Sequence, residues 1–131
     1  SIDNTPRDLD LINMKTIAEK VFEPLRKWVG GPIAINSFYR SPKLNSAIGG
    51  SMSSQHCIGC ALDLDDNYGY KTNAEMYEYI KNNLDYDQMI WEFGDDINPA
   101  WVHVSYISED VNRRRCLQAY KENSKTKYKI I

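Results

Sequence analysis

Apolar residues at Met14, Ile17, Ala18, Val21, Phe22, Leu25, Trp28 and Val29 recur three and four apart. That period predicts an amphipathic helix, and its apolar stripe needs a partner surface to cover it. Thr5-Pro6-Arg7-Asp8 reads as its start, with Thr5 as N-cap and Pro6 at the first helical position. Pro24 should kink or break the helix, and Gly30-Gly31-Pro32 should end it. The partner surface comes later in the chain. Residues 33–37 read as a short strand, and Ser41-Pro42 opens a short helix through Ala47. Residues 49–55 are small and polar, a loop free to wrap a site. Residues 60–65 alternate apolar and acidic side chains, which predicts a strand with Ala61, Asp63 and Asp65 on one face. Thr72-Asn73-Ala74-Glu75 is a capping box for a helix to about Leu84. Residues 88–93 and 101–107 read as paired strands around a 94–99 loop. Residues 115–120 and 127–131 form a further hairpin turning at 122–125. Helices early and strands late predict an α+β fold: one domain over residues 1–131, with helices packed on a small, mainly antiparallel sheet.

The bulk numbers exclude several classes. At 131 residues and 42% hydrophobic, the chain can build one core and has little room for a second. A net charge of −2 gives no sign of nucleic-acid binding. The basic residues Arg113–Arg115, Lys121, Lys125, Lys127 and Lys129 read as a solvated surface and edge strand. No apolar run approaches the ~20 residues of a membrane span. No leader sequence is visible, although Ser1 is an unusual first residue. Cys57 and Cys60 have the spacing of a redox or zinc pair, but there is no second pair, and the third cysteine is the distant Cys116. All three are expected to be free thiols, at least two of them buried.

The chain has two histidines. His56 stands before Gly59, which permits a tight turn, and the following strand carries Asp63. His103 lies in Trp101-Val102-His103-Val104-Ser105, where Val102 and Val104 would face the core and His103 the other way. If the two strands are neighbours, His56, Asp63 and His103 converge. Two imidazoles and a carboxylate suit Zn²⁺ with a fourth position open, the pattern of a catalytic site. Residue types and spacing alone leave a second reading open, in which His103 is a hydrogen-bonded core histidine and Asp63 a turn residue.

Ser54-Gln55-His56-Cys57-Ile58-Gly59-Cys60-Ala61-Leu62-Asp63 resembles the Ser-x-His-x-x-Gly-x-Ala-x-Asp motif of the M15 peptidases. These are the zinc D-Ala-D-Ala carboxypeptidases and their endolysin relatives, which share a fold with the Hedgehog signalling domain. Trp101-Val102-His103-Val104-Ser105 is similar to their second metal segment. Phe38-Tyr39-Arg40-Ser41-Pro42 with Asn45 resembles their Tyr-Arg-Ser segment, and Ile90-Trp91-Glu92 the strand before the last histidine. Asp3-Asn4-Thr5-Pro6 looks like the opening of a small phage and bacterial branch. The resemblance implies one zinc per chain on His56, Asp63 and His103. It implies that Arg40 steadies a substrate carbonyl or oxyanion, and that Ser54 and Gln55 touch substrate at the mouth. The substrate would be a peptidoglycan stem peptide, cut at D-Ala-D-Ala or L-Ala-D-Glu, by a monomer that needs neither nucleic acid nor membrane.

One position departs from the pattern. Many relatives carry an acid three residues before the last metal histidine, where this chain has Ala100. Glu92 is the expected replacement as general base: it shares a strand face with Gln88 and Ile90, opposite Met89, Trp91 and Phe93, and apolar surroundings would raise its pKa. Asp95 and Asp96 are the reserves, although they read as loop residues. The alternative function is a zinc-holding module of the Hedgehog-like fold without turnover, favoured by Ala100 and disfavoured by Arg40 and Glu92.

Overall fold

The computed structural model describes residues 1–131, and its first helical segment is continuous but not uniform. α1 (Asp8–Ile17) passes through a π-helical stretch, Ala18–Phe22, into α2 (Glu23–Val29). The reason lies in the spacing of the buried residues Ile17, Val21, Leu25 and Val29. On an α-helix each step of four residues overshoots one turn by about 40°, so this stripe would wind off the core. The wider π turn takes up the excess. The Glu23 N–H reaches back to the Ala18 carbonyl, and Pro24, with no N–H to offer, falls in the first turn of α2. The irregularity expected at Pro24 is therefore an absorbed bulge, not a break. The expected cap at Thr5 is also displaced. Arg7 is the N-cap, and its backbone N–H donates to Asp10 Oδ2 at 2.9 Å while its guanidinium binds the same carboxylate.

Downstream come β1 (Ala34–Ser37), α3 (Pro42–Ala47), a 3₁₀ turn at Gln55–Ile58, β2 (Ala61–Asp65) and α4 (Asn73–Asn83). β3 (Gln88–Glu92), β4 (Trp101–Ser105), β5 (Arg115–Glu122) and β6 (Lys125–Ile130) complete the chain. Two caps match the sequence reading: Ser41 Oγ accepts from the Leu44 N–H, and Thr72 and Glu75 close a capping box on α4. The six strands form one sheet in the order β1-β2-β4-β3-β5-β6. β3 and β5 run parallel, and every other pair is antiparallel. The α+β expectation holds. No helix is long and apolar enough to cross a membrane.

The sheet has two unlike faces. Leu62, Leu64, Met89, Trp91, Val102 and Val104 point to one face and pack with Ile17, Val21 and Leu25 and with Met76, Tyr77 and Ile80 of α4. Full burial of such side chains contributes about 1.5–3 kcal/mol each. Register places the polar residues on the opposite face in rows across the strands. Asp63, His103, Ile90 and Leu117 are successive partners in one row. Trp101, Glu92, Ala119 and Tyr128 form a second row. Gln88 and Arg115 pair in a third row, on the other side of the histidine row.

Candidate metal centre

His56 is delivered by a turn that three local features hold in place. Ser54 Oγ accepts from the His56 N–H at 3.2 Å and starts the turn. Gly59 ends it at φ +76°, where an added Cβ would lie 2.6 Å from the Asp10 carbonyl oxygen of α1. Asn13 of α1 donates its side-chain N–H to the Ile58 carbonyl at 2.8 Å. The segment before α3 runs alongside. The Phe38 carbonyl lies 2.7 Å from His56 Nδ1, and the Arg40 N–H donates to the His56 carbonyl at 3.1 Å. Asn4 pins this segment from the far side, accepting from the Ser41 N–H at 2.7 Å.

Asp63 and His103 need no such apparatus, because the β2–β4 register sets them directly opposite each other. His103 Nδ1 lies 3.1 Å from Asp63 Oδ1, and His56 Nε2 lies 3.3 Å from the same oxygen. The possible ligand atoms of all three residues fall within 4.8 Å of one another. Ligands about 2.0–2.1 Å from a tetrahedral zinc stand roughly 3.3 Å apart, so the spacing suits one ion. The decisive atom is His56 Nε2. It is buried and, despite its nearness to Asp63, has no aligned hydrogen bond. With Nδ1–H donating to Phe38, Nε2 carries the lone pair and faces the other two residues, as a metal ligand does. Burial pushes the Asp63 carboxyl up, but the adjoining imidazoles, above all His103 with its hydrogen bond, outweigh it and hold Asp63 well below the usual range.

The cleft around this trio has a volume of about 630 Å³. Arg40 lines it, and its buried Nε has no hydrogen-bond partner. Glu92 also lines it and is 8% exposed. Burial, with the nearby Asp63 charge, raises its pKa to about 7. Phe93 departs from the expected alternation: at φ 55° it leaves the strand and packs on Ile90, Leu117 and Ala119, on the Glu92 face. Asp95 and Asp96 are committed to the hairpin loop. Asp95 Oδ1 accepts from the N–H groups of Ile97 and Asn98, and Asp96 accepts from Gln118. Ser54 and Gln55 both line the cleft, but the Gln55 amide donates to Asp87 at 2.8 Å. Ser54 keeps its hydroxyl hydrogen and Gln55 its amide oxygen for other partners.

Sequence reasoning missed part of the cleft wall. Arg113 and Arg115 are exposed, as the sequence reading had them, but they also line the cleft together with Leu117 and Tyr128. Arg113 also binds the buried Asp87 through Nε at 3.0 Å and a second guanidinium nitrogen at 2.7 Å. The only available signal was the density of arginines at 113–115, and density alone does not tell a cleft from a surface.

The cysteines stand apart. All three are free thiols, with Cys60 and Cys116 buried and Cys57 half-buried. Burial pushes the Cys60 thiol up to about 11, and a protonated thiol is a poor ligand. Serine at both 57 and 60 is therefore expected to leave metal binding, read by elemental analysis, unchanged. Loss of metal from that double variant would show that the ligand set includes a thiolate.

No curated protein matches the chain. The family model for Peptidase M15 matches residues 2–105, a span that contains His56, Asp63 and His103, the group that can hold a metal. The chain belongs to the M15 peptidase family.

Proposed function

We propose that this protein is a single-domain, monomeric zinc metallopeptidase that hydrolyses a peptide bond in bacterial peptidoglycan stem peptides. The observation that carries the reading is the convergence of His56, Asp63 and His103 in an open cleft, with the buried Nε2 of His56 left unpaired. These three residues would hold one zinc. When bound, such an ion polarises a carbonyl and brings the pKa of water toward about 7.

The chain's own residues supply the rest. Glu92 takes a proton from the attacking water at its carboxylate and returns it to the leaving amine. A group whose pKa lies near the working pH serves both steps, and in the metal-free protein burial raises the Glu92 carboxyl toward that range. Its placement also answers the missing acid at Ala100. Glu92 pairs with Trp101, two residues from His103 on β4, so the facing strand offers a carboxyl on the cleft face of a strand end that has none of its own. Arg40, with an unpaired Nε at the cleft, stabilises the developing oxyanion. Ser54 and Gln55 offer a hydroxyl hydrogen and an amide oxygen to the substrate backbone at the mouth.

The test is incubation of zinc-loaded protein with purified peptidoglycan, with products identified by mass. Release of terminal D-Ala indicates the carboxypeptidase, and separation of L-Ala from D-Glu the endolysin-type endopeptidase. Zinc binding with no product under any condition would overturn the peptidase reading in favour of the non-catalytic zinc module, the outcome that Ala100 by itself would suggest.

The Glu92 environment has a second measurable consequence. A carboxyl whose folded pKa lies above its unfolded value stabilises the fold only while protonated. That contribution is complete below about pH 4.5 and is lost as pH rises through the folded value of about 7. The shift corresponds to about 3 kcal/mol. In metal-free protein at pH 8, Glu92→Gln should therefore be more stable than wild type by an amount of that order, and the gap should close near pH 4.5. Urea unfolding at the two pH values reads it directly.

A further inference from the structure

The hairpin β5–β6 lies outside the residues that the family model matches, yet Arg115, Leu117 and Tyr128 of that hairpin line the cleft. It is also the most cationic part of the chain. Residues 113–131 hold seven Lys and Arg against the single acid Glu122, in a protein of net charge −2. Most of these cations are engaged. Arg113 and Arg114 pair with Asp87 and Asp85, Lys127 with Glu122, and Lys121 donates to Thr126. Arg115 lines the cleft, and no ion pair or side-chain hydrogen bond engages it there.

Its position in the sheet gives it a direction. Arg115 pairs with Gln88, two residues along the strands from the Ile90–Leu117 pair that continues the histidine row. Glu92 stands two residues along on the other side. Two residues of strand are about 7 Å, the span of about two residues of an extended peptide. A peptide laid across the rows, with its scissile bond over the histidine row, therefore passes Glu92 on one side and Arg115 on the other. Glu92 hands its proton to the amine, so the leaving side lies toward Glu92 and the acyl side toward Arg115.

We infer that Arg115 is a specificity-determining residue that binds a substrate carboxylate on the acyl side of the scissile bond, one or two residues from it. Gln88 lies beside it and offers an amide N–H to the same group. The direction of the peptide rests on the peptidase reading above. The demand for a carboxylate rests on the unpaired guanidinium in the cleft. Charge-assisted hydrogen bonds of this kind discriminate acid from amide by roughly tenfold in affinity.

The test uses a purified stem peptide in two forms, with the acidic residue upstream of the bond either as the free carboxylate or as the amide. Titrated into zinc-loaded Glu92→Gln protein, the acid form should bind roughly tenfold tighter than the amide. Adding Arg115→Gln should erase that difference, whereas Lys125→Gln, on the same hairpin but away from the cleft, should keep it. In the otherwise wild-type enzyme Arg115→Gln should raise KM for the acid form by a similar factor and leave kcat and the amide form unchanged. Equal binding of the two forms, a preference that survives Arg115→Gln, or no binding of the acid form at millimolar concentration would each overturn the inference. If an acid preference that depends on Arg115 is present but neither form is cleaved by wild type, the carboxylate contact at Arg115 stands, and the peptidase reading falls together with the assignment of that contact to the acyl side.

Discussion

Glu92→Gln is expected to keep the fold and the bound metal and to slow peptide hydrolysis by roughly 10²–10⁴-fold, the usual contribution of a general acid–base group. Gln matches the protonated acid in shape, so the cluster of Ile90, Leu117 and Ala119 beside it is not disturbed. What is lost is the ability to carry a proton. Asp95→Asn and Asp96→Asn should lose far less activity, because those carboxylates are occupied in the hairpin loop by the Ile97 and Asn98 N–H groups and by Gln118. Peptidoglycan cleavage at the wild-type rate by Glu92→Gln would move the role to another group, with Asp95 and Asp96 next in line. The same variant is expected to gain stability in the metal-free state above pH 7. A simple folding defect would produce the opposite sign, so the two measurements together separate catalysis from structure.

The second large effect concerns the metal. Protein purified without chelator should contain about one zinc per chain, and alanine at His56 or at His103 should remove it and all hydrolysis with it. The two variants should differ in stability. His56 is 1% exposed and sits in a turn held by Ser54, Phe38 and α1, so its removal leaves a cavity and an unpaired Phe38 carbonyl, at a cost of order 1–3 kcal/mol. His103 faces the open cleft from the middle of β4, and its loss should weaken the fold less. Elemental analysis and thermal unfolding read the two effects separately. Full zinc occupancy in His103→Ala would end the assignment.

Much of the fold was legible in the sequence because local chemistry wrote it there. The Ser41-Pro42 and Thr72–Glu75 caps, the alternation of 61–65 and 101–105, and the hairpin turn between β5 and β6 all rest on interactions within a few residues. The exceptions have tertiary causes. Thr5 gave up its place as cap because Asp10 is buried and binds Arg7. Pro24 did not break its helix because a π turn kept Ile17, Val21, Leu25 and Val29 on the core. Phe93 joined the Glu92 face because the strand ends there in a left-handed residue.

The sequence by itself determined which residue types could form the site. It has only two histidines, one before a turn and one in mid-strand, with an aspartate seven residues after the first. Strand alternation put Asp63 and His103 off the core face, and Glu92 with Gln88 and Ile90. Only the tertiary structure decided that β2 and β4 are neighbours in a register that sets Asp63 opposite His103. It also decided that the Phe38 carbonyl occupies one side of the His56 ring, and that β5 runs parallel beside β3 and carries Arg115 into the cleft. The division follows from the range of the forces. Side-chain direction is set by a two-residue period within the strand, whereas strand order and register come from burying the apolar face of the whole sheet at once.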